Sequence, residues 1–229
     1  MVRFPFGKDG WIGSDAVSNL STELPRKLIV TFWLLVNARH LGFHNESYMP
    51  TGRGFDSFFG YLSGMQDHFT QELGAMIGCK QVVDLTYGAQ PAHSKNGTYS
   101  GWLYNAEAVA VVNTAPEPFF LNYWLQNTHA PFEVPTQYSD LYKFPGNEKL
   151  EVFNGMVSVV DSAVGNVTAA LKKRPGTWLN TLLIYTHDNG APLGGGGSNF
   201  PVSGLPAPAR CCSVTSADYK RRSVGSYVC

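Results

Sequence analysis

The sequence predicts an α/β fold in which two parallel strands are joined by a helix. Apolar runs without alternation at residues 119–126 and 181–186 suit strands that are buried on both faces. Between them, apolar residues recur every three or four positions from Phe153 to Leu171, which is the stripe of an amphipathic helix. A strand, a helix and a second strand in this order predict a right-handed crossover with parallel pairing.

The crossover helix is predicted over residues 153–172, and its end is marked in the sequence. The basic residues at positions 172–174 supply positive charge that suits the C-terminus of a helix. Pro175 and Gly176 then stop the helix, because proline cannot continue it and glycine accepts the backbone conformation of a helix end.

Further elements precede this unit. Residues 102–112 predict a second helix, with Leu103 and Val109 on one side. Residues 82–85 predict a weaker strand. Residues 28–36 form an apolar run that fits either a strand or part of a helix.

Composition and charge argue against two classes of partner. The 229 residues are 44% hydrophobic and 15% charged, with a net charge of +0. A neutral balance does not steer a protein toward nucleic acid or acidic membrane surfaces. No apolar run approaches the roughly 20 residues that a membrane span needs. We therefore expect no nucleic-acid partner and no membrane span.

Two signals about the cellular compartment disagree. The apolar run at residues 28–36 lies too far from Met1 for an ordinary signal peptide, so no signal peptide is visible. Yet Asn-x-Ser/Thr sequons occur, and they matter only in a protein that enters the secretory pathway. The sequons are at Asn19, Asn45, Asn96 and Asn166, of which the last three are the candidate glycosylation sites.

The second predicted strand runs into Asp188-Asn189-Gly190, which fits two interpretations. These are ordinary turn residues. However, ligands of open α/β sheets bind just beyond the carboxyl ends of strands, and a carboxylate with an amide oxygen suits Ca²⁺ or Mg²⁺. His129 follows the first strand, and an imidazole beside a cation suits proton transfer to an ester. From these residues alone, both the turn and the rim of an active site stay open.

Several segments, in the right order, resemble those of sulfatases. "PTGRGFDSFFGY" at residues 50–61 is similar to a Pro-Thr-x-Arg-Gly-Phe-Asp-x-Phe-Phe-Gly segment of that family, and it follows "HLG". "NTHAP" at residues 127–131 resembles a strand end that carries His-x-Pro. "MVSVVDSAVGNVTAAL" and "NTLLIYTHDNGAP" resemble the family's crossover helix and Asp-Asn-Gly strand. Order and spacing are most similar to the arylsulfatase B branch, over about residues 40–201.

This resemblance implies an alkaline-phosphatase-like α/β fold, here a partial sandwich with a mostly parallel sheet flanked by helices. It implies a hydrolase of sulfuric esters, acting on sulfated glycosaminoglycan sugars in that branch, with a formylglycine nucleophile, bound Ca²⁺ and a lysosomal or extracellular location. By motif position, His40 corresponds to the histidine near the formylglycine and His129 to the histidine that contacts sulfate. Asp188 and Asn189 correspond to two of the calcium ligands.

The chain departs from the family pattern at the nucleophile and at the cation site. It contains no Cys/Ser-x-Pro-x-Arg motif and no Asp-Asp pair. Ala38 and Pro206 stand where the family has two sulfate-binding lysines. We therefore divide the chain into a divergent N-terminal segment of residues 1–37, a partial sulfatase catalytic domain of residues 38–201 and a divergent tail of residues 202–229 that is predicted to be disordered.

Three functional hypotheses follow from these departures. In the first, the chain is sulfatase-like, its parent activity is sulfuric ester hydrolysis, and the chain itself is inactive for want of a nucleophile. In the second, it is a non-catalytic remnant that binds a sulfated sugar or a protein partner. In the third, it is a truncated gene product without a stable function.

Overall fold

A computed structural model describes residues 33–34, 44–73, 82–92, 95–187, 190–191 and 196–197. Of the predicted site residues, His40, Asp188 and Asn189 lie outside this set. The predicted domain boundaries after residues 37 and 201 lie outside it as well. The roles given to these residues and the division of the chain therefore stay predictions.

Two long helices dominate the described structure. Helix α1 spans Ser100–Thr114, the four-residue α2 spans Thr136–Ser139, and α3 spans Glu148–Lys173. The helices predicted over residues 102–112 and 153–172 are confirmed, and each begins a few residues earlier than the apolar stripe indicated. The stripe locates the buried face of a helix, whereas its capping residues decide where it starts.

Helix α3 shows how its ends are set. The Asn147 side chain accepts a hydrogen bond from the backbone N–H of Leu150 at 3.2 Å, so it caps the N-terminus. Acidic residues occupy the first turn and basic residues the last turn, which suits the helix dipole. Its apolar stripe is buried and consists of Met156, Val159, Val160, Ala163, Val167, Ala170 and Leu171.

Helices α1 and α3 pack against each other to make the core. Tyr104 and Val112 of α1 are fully buried, in one cluster with Val167 and Leu171 of α3. A polar contact joins the same faces, since the Asn105 side chain donates to the Ala163 carbonyl at 3.1 Å. Burial of these apolar side chains is the main stabilising contribution of the helix pair.

Arg174, at the end of α3, also holds the end of α1. Its guanidinium donates to the carbonyl groups of Val112 and Ala115, the latter at 3.0 Å, and forms an ion pair with Glu117 at 3.0 Å. The last carbonyls of a helix have no partner within the helix. One side chain therefore satisfies the C-terminus of α1 while fixing it to the neighbouring helix.

Within the described ranges, five strands of two residues each form two small sheets. Strand β1 (Trp33–Leu34) pairs in parallel with β5 (Asn122–Tyr123). Strands β2 (Phe59–Gly60), β3 (Thr86–Tyr87) and β4 (Gln90–Pro91) form an antiparallel sheet in that order. The α/β class is confirmed, and the parallel pairing that the described residues show is limited to β1 and β5.

The strand predicted over residues 181–186 is wrong, and so is its pairing with the strand at 119–126. Residues 181–187 belong to neither sheet, and Leu182 and Ile184 keep 82% and 67% of their surfaces exposed. An apolar run without alternation is buried only where other elements cover both faces. In the described part of the chain these faces are not covered, and β5 pairs with β1 instead.

Candidate functional site

His129 lies on a short turn that begins three residues after strand β5 ends, which we call the His129 turn (residues 126–130). The backbone N–H of His129 donates to the carbonyl of Gln126 at 2.8 Å and closes the turn. The side chain is exposed, and its Nδ1 lies 2.7 Å from the Ala130 carbonyl oxygen. Because a carbonyl can only accept, Nδ1 carries the proton in this contact, and the neutral ring keeps its lone pair on Nε2.

Beneath the turn lies a cluster of buried polar side chains from three segments, which we call the polar cluster. Gln126 donates from Nε2 to the carbonyl of Gln66 at 2.8 Å, and the Ser100 hydroxyl lies 2.6 Å from Gln126 Oε1. Buried polar groups need such partners, since an unpaired one costs free energy. The members are Gln66, His68, Gln71, Ser100 and Gln126.

His68 connects the polar cluster to the His129 turn. Its Nε2 lies 3.2 Å from the carbonyl oxygen of His129, and its Nδ1 lies 3.2 Å from the Ser100 hydroxyl. The ring stacks on Tyr99 with centroids 5.6 Å apart and planes inclined by 17°. Burial lowers the pKa of His68 to about 4, so the imidazole is neutral at pH 7.

Two carboxyl groups border the same place. Glu133 accepts the backbone N–H of His68 at 2.9 Å and shares a side-chain hydrogen bond with Asp67. Burial raises the pKa of Glu133. Burial acts in the same sense on Asp67, but hydrogen bonds from the backbone of Thr70 and Phe69 outweigh it and lower the pKa of Asp67. Of the two carboxyl groups, Glu133 therefore binds a proton more readily than Asp67.

Tyr99 ties the turn to the start of helix α1. Its hydroxyl donates to the Glu133 carbonyl at 3.0 Å and accepts from the Asn127 side chain at 2.8 Å. The Tyr99 hydroxyl thus contacts one residue on each side of His129 in the sequence. Tyr99 and the ring of His68 that stacks on it therefore support the turn that carries His129.

Among the four predicted catalytic and metal residues, the structure describes His129 alone. Within the described ranges, no group of three or more His, Cys, Asp or Glu side chains converges to hold a metal ion. Those residues by themselves do not fit a calcium site. The assignment of Asp188 and Asn189 as calcium ligands is outside the described residues and stays a prediction.

The three candidate glycosylation sites are all exposed. The Asn45 side chain accepts the backbone N–H of Ser47 at 2.9 Å, and the Asn166 amide donates to Asn105 Oδ1 at 2.8 Å. Asn96 lies in the loop before α1. Exposure is what a glycan requires, and glycosylation itself stays a prediction.

Sequence reasoning missed the support for His129. His68 and His129 are 61 positions apart, and no periodicity or spacing links them. The one local signal is Asp67, whose carboxylate accepts the backbone N–H groups of Phe69 and Thr70, an arrangement typical of Asp at a turn. That signal predicts a turn at this position and says nothing of its partner.

Comparisons with known proteins agree on one family. The sequence profile of the Sulfatase family matches residues 34–209. Arylsulfatase J of Mus musculus is 36% identical over 189 residues, which are 80% of this chain and 31% of the relative. N-acetylgalactosamine-6-sulfatase of Mus musculus is 30% identical over 178 residues, which are 73% of this chain and 33% of the relative. The chain spans about a third of the length of the curated relatives it matches.

Solved structures give the same result for the fold. The crystal structure of Ps i-CgsB matches with a TM-score of 0.69 and 27% identity, over 86% of this chain and 45% of that chain. Ps i-CgsB in complex with k-i-k-neocarrahexaose matches with a TM-score of 0.68 over the same shares. The fold of this chain is thus similar to part of a larger protein of known structure.

Proposed function

The chain belongs to the sulfatase family, and on that premise we propose that it forms the part of a sulfuric ester hydrolase that presents His129 to the sulfate group. The observation that carries the proposal is the geometry of this ring. Nδ1 is held by the Ala130 carbonyl at 2.7 Å, which leaves Nε2 of an exposed imidazole for a ligand. The curated relatives and the saccharide in a related structure support a sulfated sugar as the substrate class.

An imidazole held in this way has two uses beside a sulfate ester. Protonated at Nε2, it donates a charge-assisted hydrogen bond to a sulfate oxygen. Neutral, it takes up a proton at the same atom, which is general base chemistry. The 229 residues contain no formylglycine motif, so they supply sulfate recognition without the family's nucleophile. Bond cleavage would need residues beyond this sequence.

A titration with inorganic sulfate tests the proposal. We expect the NMR signal of His129 Cε1–H to shift with sulfate, while equal ionic strength of chloride has no effect. His44, which is also exposed and lies beside Tyr48, serves as an internal reference that should not respond. The assignment is checked with His129→Ala. A sulfate response of the same size at both histidines would contradict a specific site at His129.

We expect no sulfatase turnover from the purified chain, even when it is produced together with the formylglycine-generating enzyme. Groups that act as one catalytic unit cannot replace each other, so His129 cannot substitute for the missing nucleophile. The measurement is hydrolysis of a chromogenic aryl sulfate. Robust turnover that is abolished in His129→Ala would show that another group in the chain acts as the nucleophile.

We further propose that Asp188 and Asn189 form half of a calcium site, and we predict weak binding. Ca²⁺ takes about six to eight oxygen ligands, and these two residues supply only part of that set. Millimolar Ca²⁺ should therefore stabilise the chain by much less than the roughly 2.7 kcal/mol that a ligand gives at 100 times its dissociation constant. Thermal melts of the wild type and Asp188→Ala measure this. A large calcium-dependent rise in Tm that is lost in the variant would contradict the prediction.

For localisation we propose the lysosome or the extracellular space. The exposure of Asn45, Asn96 and Asn166 supports this, because sequons become glycans only in the secretory pathway. None of the helices that the structure describes is long and apolar enough to cross a membrane. A decrease in the apparent mass of the protein on gel electrophoresis after treatment with a glycosidase that removes N-glycans would support the assignment.

A further inference from the structure

We propose that His68 is a positioning residue for His129: its buried ring holds the carbonyl group of the His129 turn and thereby fixes the direction in which the exposed ring faces. The inference rests on the proposed role of His129 in sulfate recognition. The contact between the two histidines does not depend on sulfate, so the two ideas can fail separately. No motif in the sequence relates these residues.

The contact with the His129 carbonyl selects one neutral tautomer of His68. Its Nε2 lies 3.2 Å from the carbonyl oxygen of His129, and a carbonyl only accepts, so Nε2 carries the proton. Nδ1 then holds the lone pair and lies 3.2 Å from the Ser100 hydroxyl oxygen. That hydroxyl donates its single proton to Gln126 Oε1 at 2.6 Å, so its contact with Nδ1 is not a hydrogen bond in this tautomer.

The ring of His68 is held more firmly than the turn it contacts. It is fully buried and stacks on Tyr99. Its backbone N–H donates to Glu133 at 2.9 Å, and its carbonyl accepts from the backbone N–H of Ser100 at 2.7 Å and from the Gln71 side chain at 3.1 Å. With backbone and side chain both fixed, His68 sets the position of the turn and not the reverse.

The contact reaches the His129 ring through two adjacent peptide groups. His68 fixes the carbonyl of His129, which belongs to the peptide unit that leads into Ala130. The next carbonyl, that of Ala130, accepts from His129 Nδ1 at 2.7 Å. If the first carbonyl moves, the second moves with it, and the ring loses the partner that keeps its proton on Nδ1. Second partners of this kind orient functional imidazoles in many sites.

The test uses the full chain with ¹⁵N-labelled histidine, because the nitrogen shifts report which ring atom carries the proton. In the wild type at neutral pH we expect His68 to carry its proton on Nε2 and His129 to carry it on Nδ1. In His68→Leu the His129 proton should move toward Nε2. In His68→Gln the Nδ1 form should return, because the glutamine amide N–H lies where the imidazole Nε2–H was. Val112→Ala is the matched control, a change in a fully buried side chain of α1 that lies twelve positions along the helix from Ser100.

Inorganic sulfate is then titrated into each variant. We expect His68→Leu to weaken the His129 response roughly fivefold, the equivalent of one hydrogen bond of about 1 kcal/mol, with His68→Gln and Val112→Ala close to the wild type. If wild-type His129 ignores sulfate, the proposed function fails and the tautomer data still decide the positioning role. A folded His68→Leu with unchanged His129 tautomer overturns the inference. Should that variant not fold, an unprotonated Nε2 on wild-type His68 overturns it and a protonated one supports it.

Discussion

Replacing Gly155 with alanine is expected to lower the free energy of unfolding by about 1–3 kcal/mol, while the same change at Gly165 raises it by about 0.5–1 kcal/mol. Both glycines lie in α3, where alanine is the better helix former. A β-carbon at Gly155 would lie 2.9 Å from the backbone nitrogen of Ser139 and 3.0 Å from Val134 Cγ1. At Gly165 it would meet no atom within 4 Å.

The opposite signs make this pair of variants a test of how α2 packs on α3. The contact at Gly155 is partly with backbone, which cannot rotate away as a side chain can, so α2 has to shift. Urea unfolding followed by circular dichroism gives both free energies under the same conditions. Equal stabilisation in Gly155→Ala and Gly165→Ala would mean that α2 does not pack against this face.

Acidification is expected to destabilise the chain through His68 by about 3 kcal/mol between pH 6.5 and pH 4. Burial lowers the pKa of this imidazole to about 4 in the folded state, against an ordinary value of 6.5. As the pH falls through 6.5, His68 binds a proton in the unfolded chain but stays neutral in the folded chain. Stability therefore falls as the pH falls across this window and levels off below about pH 4.

His68→Gln provides the control, because glutamine does not titrate. We expect a lower stability at pH 7 and a flatter dependence on pH between 6.5 and 4, measured by urea unfolding at several pH values. Glu133, whose pKa is raised by burial, acts in the opposite direction, so the difference between the two chains isolates His68. Parallel pH profiles for wild type and variant would show that His68 is protonated freely in the folded state.

The helices were predictable and the second strand was not, for a physical reason. The apolar stripe of α3 can be recognised from the residues of the helix alone, because apolar residues with a period near 3.6 mark one face of a helix for burial whatever it packs against. The run from Leu182 to Tyr185 has no such internal pattern. Whether it is buried depends on what covers it, and covering elements are distant in sequence.

The same distinction separates the two histidines. His129 could be identified as a candidate site residue from the sequence because it belongs to a segment that resembles a family motif and follows an apolar run. His68 has neither property, and its importance comes from a carbonyl 61 positions away. Only the folded chain brings the ring, the Ser100 hydroxyl and the turn together. Such long-range polar contacts leave no periodic trace in the sequence.

The exposed segment at residues 181–186 has a consequence for how a cell would handle this chain. "TLLIYT" contains no charge and no proline and is rich in β-forming residues, the composition of segments that join into intermolecular sheets. Chaperones and proteases act on chains that display such segments, and this can change abundance several-fold without any change in the rest of the fold. Quality control is therefore expected to influence the amount of this protein in a cell alongside its free energy of unfolding.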